Sequence, residues 1–305
     1  MCKVSIVVPV YNRATLIERC LDSIFAQTYR PLKVYVVDNA SADGSAEVAG
    51  RWIQCHKDKD FDIRLLTETR PGAAAARNCG LDHTDTEYVM FFDSDDEMLP
   101  TLVEKAVAAA DDADIVYWKT SVIGLDGRRK TMPQYTRGLL RRQIYNCALF
   151  TLNHMVRTDF IKEAGAWNPE AHVWDDWELG IRLLALDPKC RAVKDTLVVK
   201  HNQTESLTGT SMTDKAGEWD KAIDIAEKYI TASSHPDKRL LTDRLDYVRA
   251  VLAARYRREG NTKDADALLR KALNRKGRPV VLKWWLRLLH RYTSLGGRGA
   301  YYLWK

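Results

Sequence analysis

The run Tyr88-Val89-Met90-Phe91-Phe92 is apolar without alternation, and it stops in Asp93-Ser94-Asp95-Asp96-Glu97. A strand that shows no polar face is covered on both sides, as in parallel sheets flanked by helices. Ending it in four carboxylates within five positions is costly. Like charges repel, and each resists losing water near a core unless a cation lies between them. A divalent ion resolves that conflict. The stretch therefore demands a buried strand and a site for positive charge at its end.

The same pattern occurs upstream. Val4-Ser5-Ile6-Val7-Val8 is another unalternating β-branched run, closed by Pro9, and Lys33 to Val37 leads directly into Asp38. Between them the spacing of Leu16, Cys20, Leu21, Ile24 and Phe25 predicts a helix from Ala14 to about Gln27, with Asn12 as its N-cap. A second helix, Ser45 to His56, and a third strand, Asp62 to Leu66, follow. Strand–helix alternation predicts an α/β fold with right-handed parallel crossovers. Ligands in such sheets bind beyond the carboxyl ends of the strands. Asp38 and Asp93 both occupy such ends, which places them in one site.

Further along, Pro71-Gly72 makes a turn before an alanine-rich helix, and Thr101 with Glu104 reads as a capping box after Pro100. Asp114 to Lys119 reads as a strand and Asp126-Gly127 as a hairpin tip. The segment from Tyr135 to Ala166 mixes a helix with a short strand around Met155-Val156. Trp174 to Leu186 reads as a helix, and Ala192 to Lys200 as a last strand before His201. This pattern ends near residue 210, so the expected division is an α/β domain over 1–210 and a helical region over 211–305. Helices are expected at Glu218–Ile230, Lys238–Glu259 and Lys263–Leu273. No acidic residue follows Asp266, whereas ten Lys or Arg residues lie between Arg270 and Lys305, interleaved with Trp284, Trp285, Tyr292, Tyr301, Tyr302 and Trp304.

The net charge of +6 and pI of about 8.9 are too mild to argue for nucleic acid. Six scattered cysteines without a Cys-x-x-Cys pair fit reduced thiols in the cytosol. No stretch approaches the ~18–20 apolar residues of a transmembrane helix. The expected location is cytoplasmic, with peripheral contact to the inner face of a membrane through the basic aromatic C-terminus. Packing of Trp284, Leu288 and Leu289 on the helical region accounts for the same residues equally well.

Hard oxygen ligands such as Asp93 and Asp95 suit Mn²⁺ or Mg²⁺ bound to substrate phosphates; a solvated acidic turn capping the next helix is the other reading. Five stretches together decide. They are Val4-Ser5-Ile6-Val7-Val8-Pro9-Val10-Tyr11-Asn12, Val36-Val37-Asp38-Asn39-Ala40-Ser41-Ala42-Asp43-Gly44, Gly72 with Ala76-Arg77-Asn78-Cys79-Gly80, Asp93-Ser94-Asp95, and Asp175-Asp176 followed by Leu179 and Arg182-Leu183. In order and spacing over residues 1 to about 210 they resemble the inverting glycosyltransferases of family 2. Those have the GT-A fold, a Rossmann-like, mostly parallel central sheet flanked by helices; the C-terminal third lies outside the resemblance.

The resemblance implies a nucleotide-diphosphate sugar donor, uridine-linked, and an acceptor hydroxyl on a saccharide or a lipid-linked saccharide, in cell-surface polysaccharide or glycolipid synthesis. It assigns Pro9, Tyr11, Asn12, Asp38, Arg77 and Asp93 to the nucleotide and its diphosphate. Asp95, Asp93 and His201 fall to the metal, and Asp176 to the catalytic base. The family's usual Glu-Asp is Asp175-Asp176 here, and its frequent second aspartate after Asp38 is Asn39. A sugar-nucleotide pyrophosphorylase would need a glycine-rich loop after the first strand, where Pro9-Val10-Tyr11-Asn12-Arg13 stands. A non-catalytic binding protein on the same fold would lack the metal aspartates or the base, and neither is missing.

Overall fold

The computed structural model describes residues 3–56, 58–202, 211–297 and 299. The first half alternates as its pattern requires: β1 (Val4–Val10), α1 (Ile17–Phe25), β2 (Leu32–Asp38), α2 (Ser45–Cys55), β3 (Phe61–Thr67), α3 (Ala73–Asp82) and β4 (Tyr88–Phe91). A two-residue strand β5 (Glu97–Met98), α4 (Leu102–Ala110), β6 (Ile115–Ile123) and β7 (Arg129–Thr131) follow. Next come α5 (Leu139–Asn146), β8 (His154–Arg157), α6 (Thr158–Glu163), α7 (Asp175–Ala185) and β9 (Cys190–His201). The chain then runs in helices: α8 (Ala216–Ala232), α9 (Lys238–Arg258), α10 (Thr262–Leu273) and α11 (Val280–Ser294).

Among the described residues the strands form one sheet in the order β3-β2-β1-β4-β8-β6-β9-β5, with β7 beside β6. The first four are mutually parallel, and β6 and β9 share their direction. β8 runs against both its neighbours, β4 and β6, and β5 and β7 are antiparallel additions. The sheet is therefore mixed where the alternation predicts mostly parallel pairing. Strand β8, which follows β7 and α5 in the chain, enters the sheet from the other end.

β1 shows why its sequence does not alternate. Val4, Ile6 and Val8 join the core beneath α1, α2 and α4, while Val7 joins the core on the other face, with Val37, Phe91 and residues of α3 and α7. Both faces are covered, so both carry apolar side chains. Helix α3 lies against β1 at Gly80, where a Cβ would overlap the Val7 side chain.

Local details depart from the expectations. Pro9 does not close β1 but pairs with Val37 inside it. Asn12 is not the N-cap of α1, which begins at Ile17. Its backbone N–H donates to Ser41 Oγ at 3.1 Å and its Oδ1 accepts from Ala42 N at 2.9 Å, so the loop after β2 claims it. Thr101 and Glu104 form no capping box, because Glu104 Oε2 accepts from the Thr28 hydroxyl at 2.6 Å. Glu97 does not begin α4; it pairs with Val199 in the sheet. Tyr301, Tyr302 and Trp304 lie outside the described residues.

The C-terminal helices share a core with the α/β part. Ile144 of α5, Val173, and Trp177 and Ile181 of α7 pack with Trp219 and Ile223 of α8 and Leu245 and Leu252 of α9. Helix α11, which the spacing did not predict, closes on α9 through Leu286 and Leu289. Arg249 is fully buried in α9 and reaches Asp246 and Asp224, both at 2.7 Å, and Glu227 at 2.5 Å.

The Gly80 contact makes a stability prediction. Gly80→Ala should lower unfolding stability by about 1–3 kcal/mol, the usual effect of overpacking a filled core. Gly50→Ala, whose Cβ would meet only Leu65 Cδ2 at 3.8 Å, should be neutral or stabilising by up to ~1 kcal/mol. Denaturant midpoints measure both, and equal effects would contradict the packing.

Candidate active site

The ends of β1, β2 and β4 open on one edge of the sheet, and their loops are tied together by side chains. Arg13 N donates to Ser45 Oγ at 2.7 Å and Ala14 N to Asp43 Oδ2 at 2.9 Å. With the two Asn12 bonds these fix the loop after β1 to the loop after β2. Asn39 ties the second loop to a third. Its Nδ2 donates to the carbonyls of Glu68 and Arg70 at 2.8 and 2.7 Å, and its Oδ1 accepts from Gly72 N at 2.8 Å. Gly72 has φ +113, which a residue with a Cβ rarely adopts. Asn39 thus has a bridging task that an aspartate could not perform, since a carboxylate has no N–H to donate.

Asp38 closes β2 and is buried. Its Oδ2 accepts from Ser41 N at 3.2 Å, whereas Oδ1 is buried without a hydrogen-bond partner. A buried acceptor left open is costly unless a ligand supplies a donor. Tyr11 is 56% exposed on the neighbouring loop, and Pro9 sits in the β1 segment leading to it.

Arg77 joins the two acidic stretches. It projects from α3 with its side chain only 7% exposed. Nη2 donates to Asp93 Oδ1 at 2.9 Å and Nη1 to Asp175 Oδ2 at 2.5 Å. The guanidinium carbon lies 4.4 Å from the centre of the Trp167 ring, within cation–π range. Burial opposes its charge, but Asp175 and Asp93 outweigh burial and raise its pKa. Arg77 is thus neither a surface ion pair nor free of the carboxylates: it spans the stretch after β4 and the start of α7.

The remaining acids sit around β9. Asp96 is buried, and its Oδ1 accepts from His201 N at 2.7 Å. Burial pushes its carboxyl up to about 8, with Asp93 and Asp95 adding to the rise and Lys200 opposing it. Asp95 is also raised, by burial and then by Asp93, against the pull of Arg13 and Lys200. Arg13 Nε lies 3.6 Å from Asp95 Oδ2, and the Arg19 guanidinium donates to the Asp95 carbonyl. His201 Nε2 is 3.0 Å from Glu97 Oε1. Lys200 is partly buried at the end of β9; burial works against its charge, yet Asp93, Asp96, Asp176 and Asp95 together raise its pKa.

Asp176 is the second residue of α7, the helix whose first turn holds Asp175, Asp176 and Glu178. A helix N-terminus favours such charge. Asp176 keeps part of its surface open. Loss of solvation and the neighbouring Asp175 push its carboxyl up to about 6, against Arg77 and Lys200. Trp174, just before the pair, touches Trp219 of α8 at 4.9 Å between ring centres. The helical region therefore braces the turn that presents the acids.

Asp93 and Asp95 fit a divalent cation as one or two hard ligands, the number Mg²⁺-like ions take while keeping waters and substrate phosphates. The Asp95 carboxyl is raised by burial first and by Asp93 second, and such an ion would offset both. Among the described residues no three His, Cys, Asp or Glu side chains converge on one metal position, and His201 Nε2 faces Glu97 Oε1 without forming a hydrogen bond.

The structure brings Asp93, Asp95, Arg77 and Asp176 into one charged cluster, with Asp38 on the adjoining loop. Sequence reasoning missed Arg13, Lys200, Asp175 as the partner of Arg77, and the bridging role of Asn39. Arg13 could have been found by its position after Tyr11-Asn12; Lys200 carried no local signal, because the acids around it come from two distant segments, the stretch after β4 and the start of α7.

Removing the Arg77 guanidinium should unpair two carboxylates at once. Arg77→Ala is expected to lower stability by about 3–5 kcal/mol, as for other broken buried pairs. Arg77→Lys should recover little of it, since an ammonium cannot span two carboxylates as a planar fork does. Thermal or chemical unfolding measures this; wild-type stability in Arg77→Ala would contradict the bridge.

Comparison with known proteins agrees with this geometry. The family model of Glycosyl transferase family 2 matches residues 5–161, more than half of the chain. The uncharacterized glycosyltransferase YibD of Escherichia coli is 33% identical over 115 residues, covering 37% of this chain and 32% of its own length. Glycosyltransferase GlyA of Streptococcus pneumoniae is 38% identical over 111 residues, 34% of this chain and 15% of its own. The match thus spans about a third or less of these relatives. Among solved structures, S. aureus TarS 1–349 in complex with UDP-GlcNAc superposes with a TM-score of 0.71 at 18% identity, covering 98% of this chain and 89% of that one. The mannosyltransferase PcManGT from Pyrobaculum calidifontis, in complex with GDP-Man and Mn²⁺, gives 0.60 at 22% identity, covering 99% and 82%. At these identities the likeness shows the fold, a GT-A sheet with flanking helices. With the strand-end carboxylates Asp38, Asp93 and Asp95 lying inside the matched segment, the chain belongs to glycosyl transferase family 2.

Proposed function

We propose that this protein is an inverting glycosyltransferase that moves a sugar from a nucleotide-diphosphate sugar, uridine-linked, to an acceptor hydroxyl by a single in-line displacement. One observation carries the reading: Arg77 bridges Asp93, beyond the end of β4, and Asp175, the residue before the candidate base. The complexes of TarS with UDP-GlcNAc and of PcManGT with GDP-Man support a donor of this class.

In this reading Asp38 Oδ1, open and buried, accepts an N–H of the base or a ribose hydroxyl, and Tyr11 with Pro9 and Asn12 forms the wall beside it. Arg77 fixes Asp93 at the diphosphate. Asp95 and Asp93 would hold Mn²⁺ or Mg²⁺, whose charge offsets that of the departing nucleotide diphosphate, and His201 would have to turn from Glu97 to join them. Asp176 takes the proton of the acceptor hydroxyl as its oxygen attacks the anomeric carbon. Its raised pKa makes it a stronger base than an ordinary aspartate. Lys200 keeps that carboxylate from rising further. The acceptor is a saccharide or a lipid-linked saccharide of cell-surface polysaccharide or glycolipid synthesis. The protein acts in the cytoplasm, peripheral to the inner face of the membrane. Among the described residues no helix is long and apolar enough to cross a membrane.

A screen of nucleotide sugars with Mn²⁺, read by thermal shift and donor hydrolysis, tests the proposal and names the base and sugar together. A response to uridine-linked donors is expected; silence toward every nucleotide would overturn it.

Asp176→Ala should reduce transfer by about 10²–10⁴-fold, the usual contribution of a general base, and leave donor binding intact. Asp95→Ala should lose transfer and also weaken metal-dependent donor binding. Transfer at the wild-type level in either variant would refute its role. Because the base must be ionised, kcat/KM should fall as pH drops through about 6. Stability has the opposite sense. A carboxyl raised in the folded state favours folding at low pH, and that contribution is lost as pH rises through the folded value. Asp176→Asn should therefore be more stable than wild type above pH 6 and lose that advantage near pH 4, as melting curves across pH would show.

A further inference from the structure

Among the described residues ten large apolar side chains are exposed, and six of them lie between positions 280 and 295. Scattered exposed apolar residues need no explanation, but a cluster does. Val281, Trp284, Leu288 and Leu295 are 78, 66, 58 and 82% exposed. At the α-helical repeat they fall within an arc of about 60°. Arg287 and Arg291 run along one side of that arc, with Lys283 beyond them, and the Arg287 guanidinium carbon sits 5.8 Å from the Trp284 ring centre. The opposite side of α11 is fixed: Leu286, Leu289, His290 and Thr293 are buried, and the helix packs on α9 and α10. The apolar stripe is thus held outward on a rigid support.

The charge along α11 itself has one sign, whereas Arg275 and Arg278 just before it are paired with Glu227, Asp243 and Asp246. No acidic residue follows Asp266 in the sequence. A concavity at the start of α11 is lined by Lys238, Arg239, Arg275, Lys276 and Arg278 and ends at Pro279, the residue that caps the helix. Its one acid, Asp243, is 3.2 Å from Arg278.

We propose that the exposed face of α11 docks this protein on an anionic bilayer surface. Trp284 and Leu288 enter the boundary between headgroups and acyl chains, and Lys283, Arg287 and Arg291 pair with the phosphates of acidic lipids. Charge complementarity selects this occupant. In a two-fold contact between copies the same patch meets itself, so the arginine rows would repel. The inference rests on the reading of the protein as peripheral to the membrane and deepens it by naming the surface and the lipid charge it requires.

The test uses the full chain in co-sedimentation with phosphatidylcholine vesicles, with and without phosphatidylglycerol. Wild type should bind only the anionic vesicles, and less as salt rises. Two double variants, Trp284→Glu with Leu288→Glu and Arg287→Glu with Arg291→Glu, should each bind about tenfold more weakly or worse, each surface cation being worth about 1 kcal/mol. Both should keep wild-type melting and donor hydrolysis, because the substituted side chains are exposed and far from the acidic cleft in the chain. Equal binding to neutral and anionic vesicles would overturn the proposal, as would normal binding by both double variants. Loss of binding in Trp304→Ser alone would move the contact to residues beyond α11 and overturn it too. A dimer in sedimentation velocity that Trp284→Glu with Leu288→Glu dissolves, without vesicle binding, would assign the face to a second copy. Vesicle binding without response to any nucleotide sugar would uphold docking while refuting the transferase reading, and the reverse result would do the converse.

Discussion

A single buried guanidinium holds this site together. Arg77 reaches from α3 to Asp93 beyond β4 and to Asp175 at the start of α7. Those carboxylates come from distant stretches of the chain that one apolar core brings together, and without a cation between them they would repel. The interaction is costly to desolvate and strong only because the geometry is good. Stacking on Trp167 and the packing of α3 against β1 at Gly80 keep the guanidinium in place. The placement of Asp93 and of Asp175 thus depends on the same residue.

The second support is apolar. Helix α7 has two faces of burial. Leu179 and Leu183 belong to the sheet-side core, whereas Trp177 and Ile181 belong to the core of the C-terminal helices. The acids at its first turn are therefore braced from both sides. Trp174 against Trp219 makes the helical region part of the frame of the site and not an appendage. The same helices carry α11 outward, so the face with the cations and the site with the carboxylates are linked through one continuous packing.

Electrostatics within the cluster separate the acids. Asp96, buried and tied to the backbone of β9, is raised furthest, to about 8, which suits a structural carboxyl. Asp176 is raised to about 6, within the range useful to a base near neutral pH. Lys200 and Arg13 supply the opposing charge. One ammonium near four carboxylates moderates the field without neutralising any of them fully.

The strands and most helices of the α/β part were legible because burial leaves a local record. Val4 to Val8 and Tyr88 to Phe92 lack alternation since both their faces are covered, and the carboxylates mark where each strand leaves the core. That record also predicted Asp38 and Asp93 at one sheet edge. It was silent about direction and partners. The periodicity of His154–Arg157 is the same whichever way β8 runs, so only its pairing with β4 and β6 shows the reversal. Asn12 has the composition of a cap, but a neighbouring loop took its hydrogen bonds. Arg77 and Asp175 are 98 residues apart, and Lys200 meets acids from two distant segments. By itself the sequence determined the alternation of elements, the carboxylates at the strand ends and the basic, aromatic C-terminus, because these depend on what each residue must hide from water. The tertiary structure alone decided which charges meet, since ion pairs between distant segments have no period to read and exist only once the sheet and its helices have brought them together.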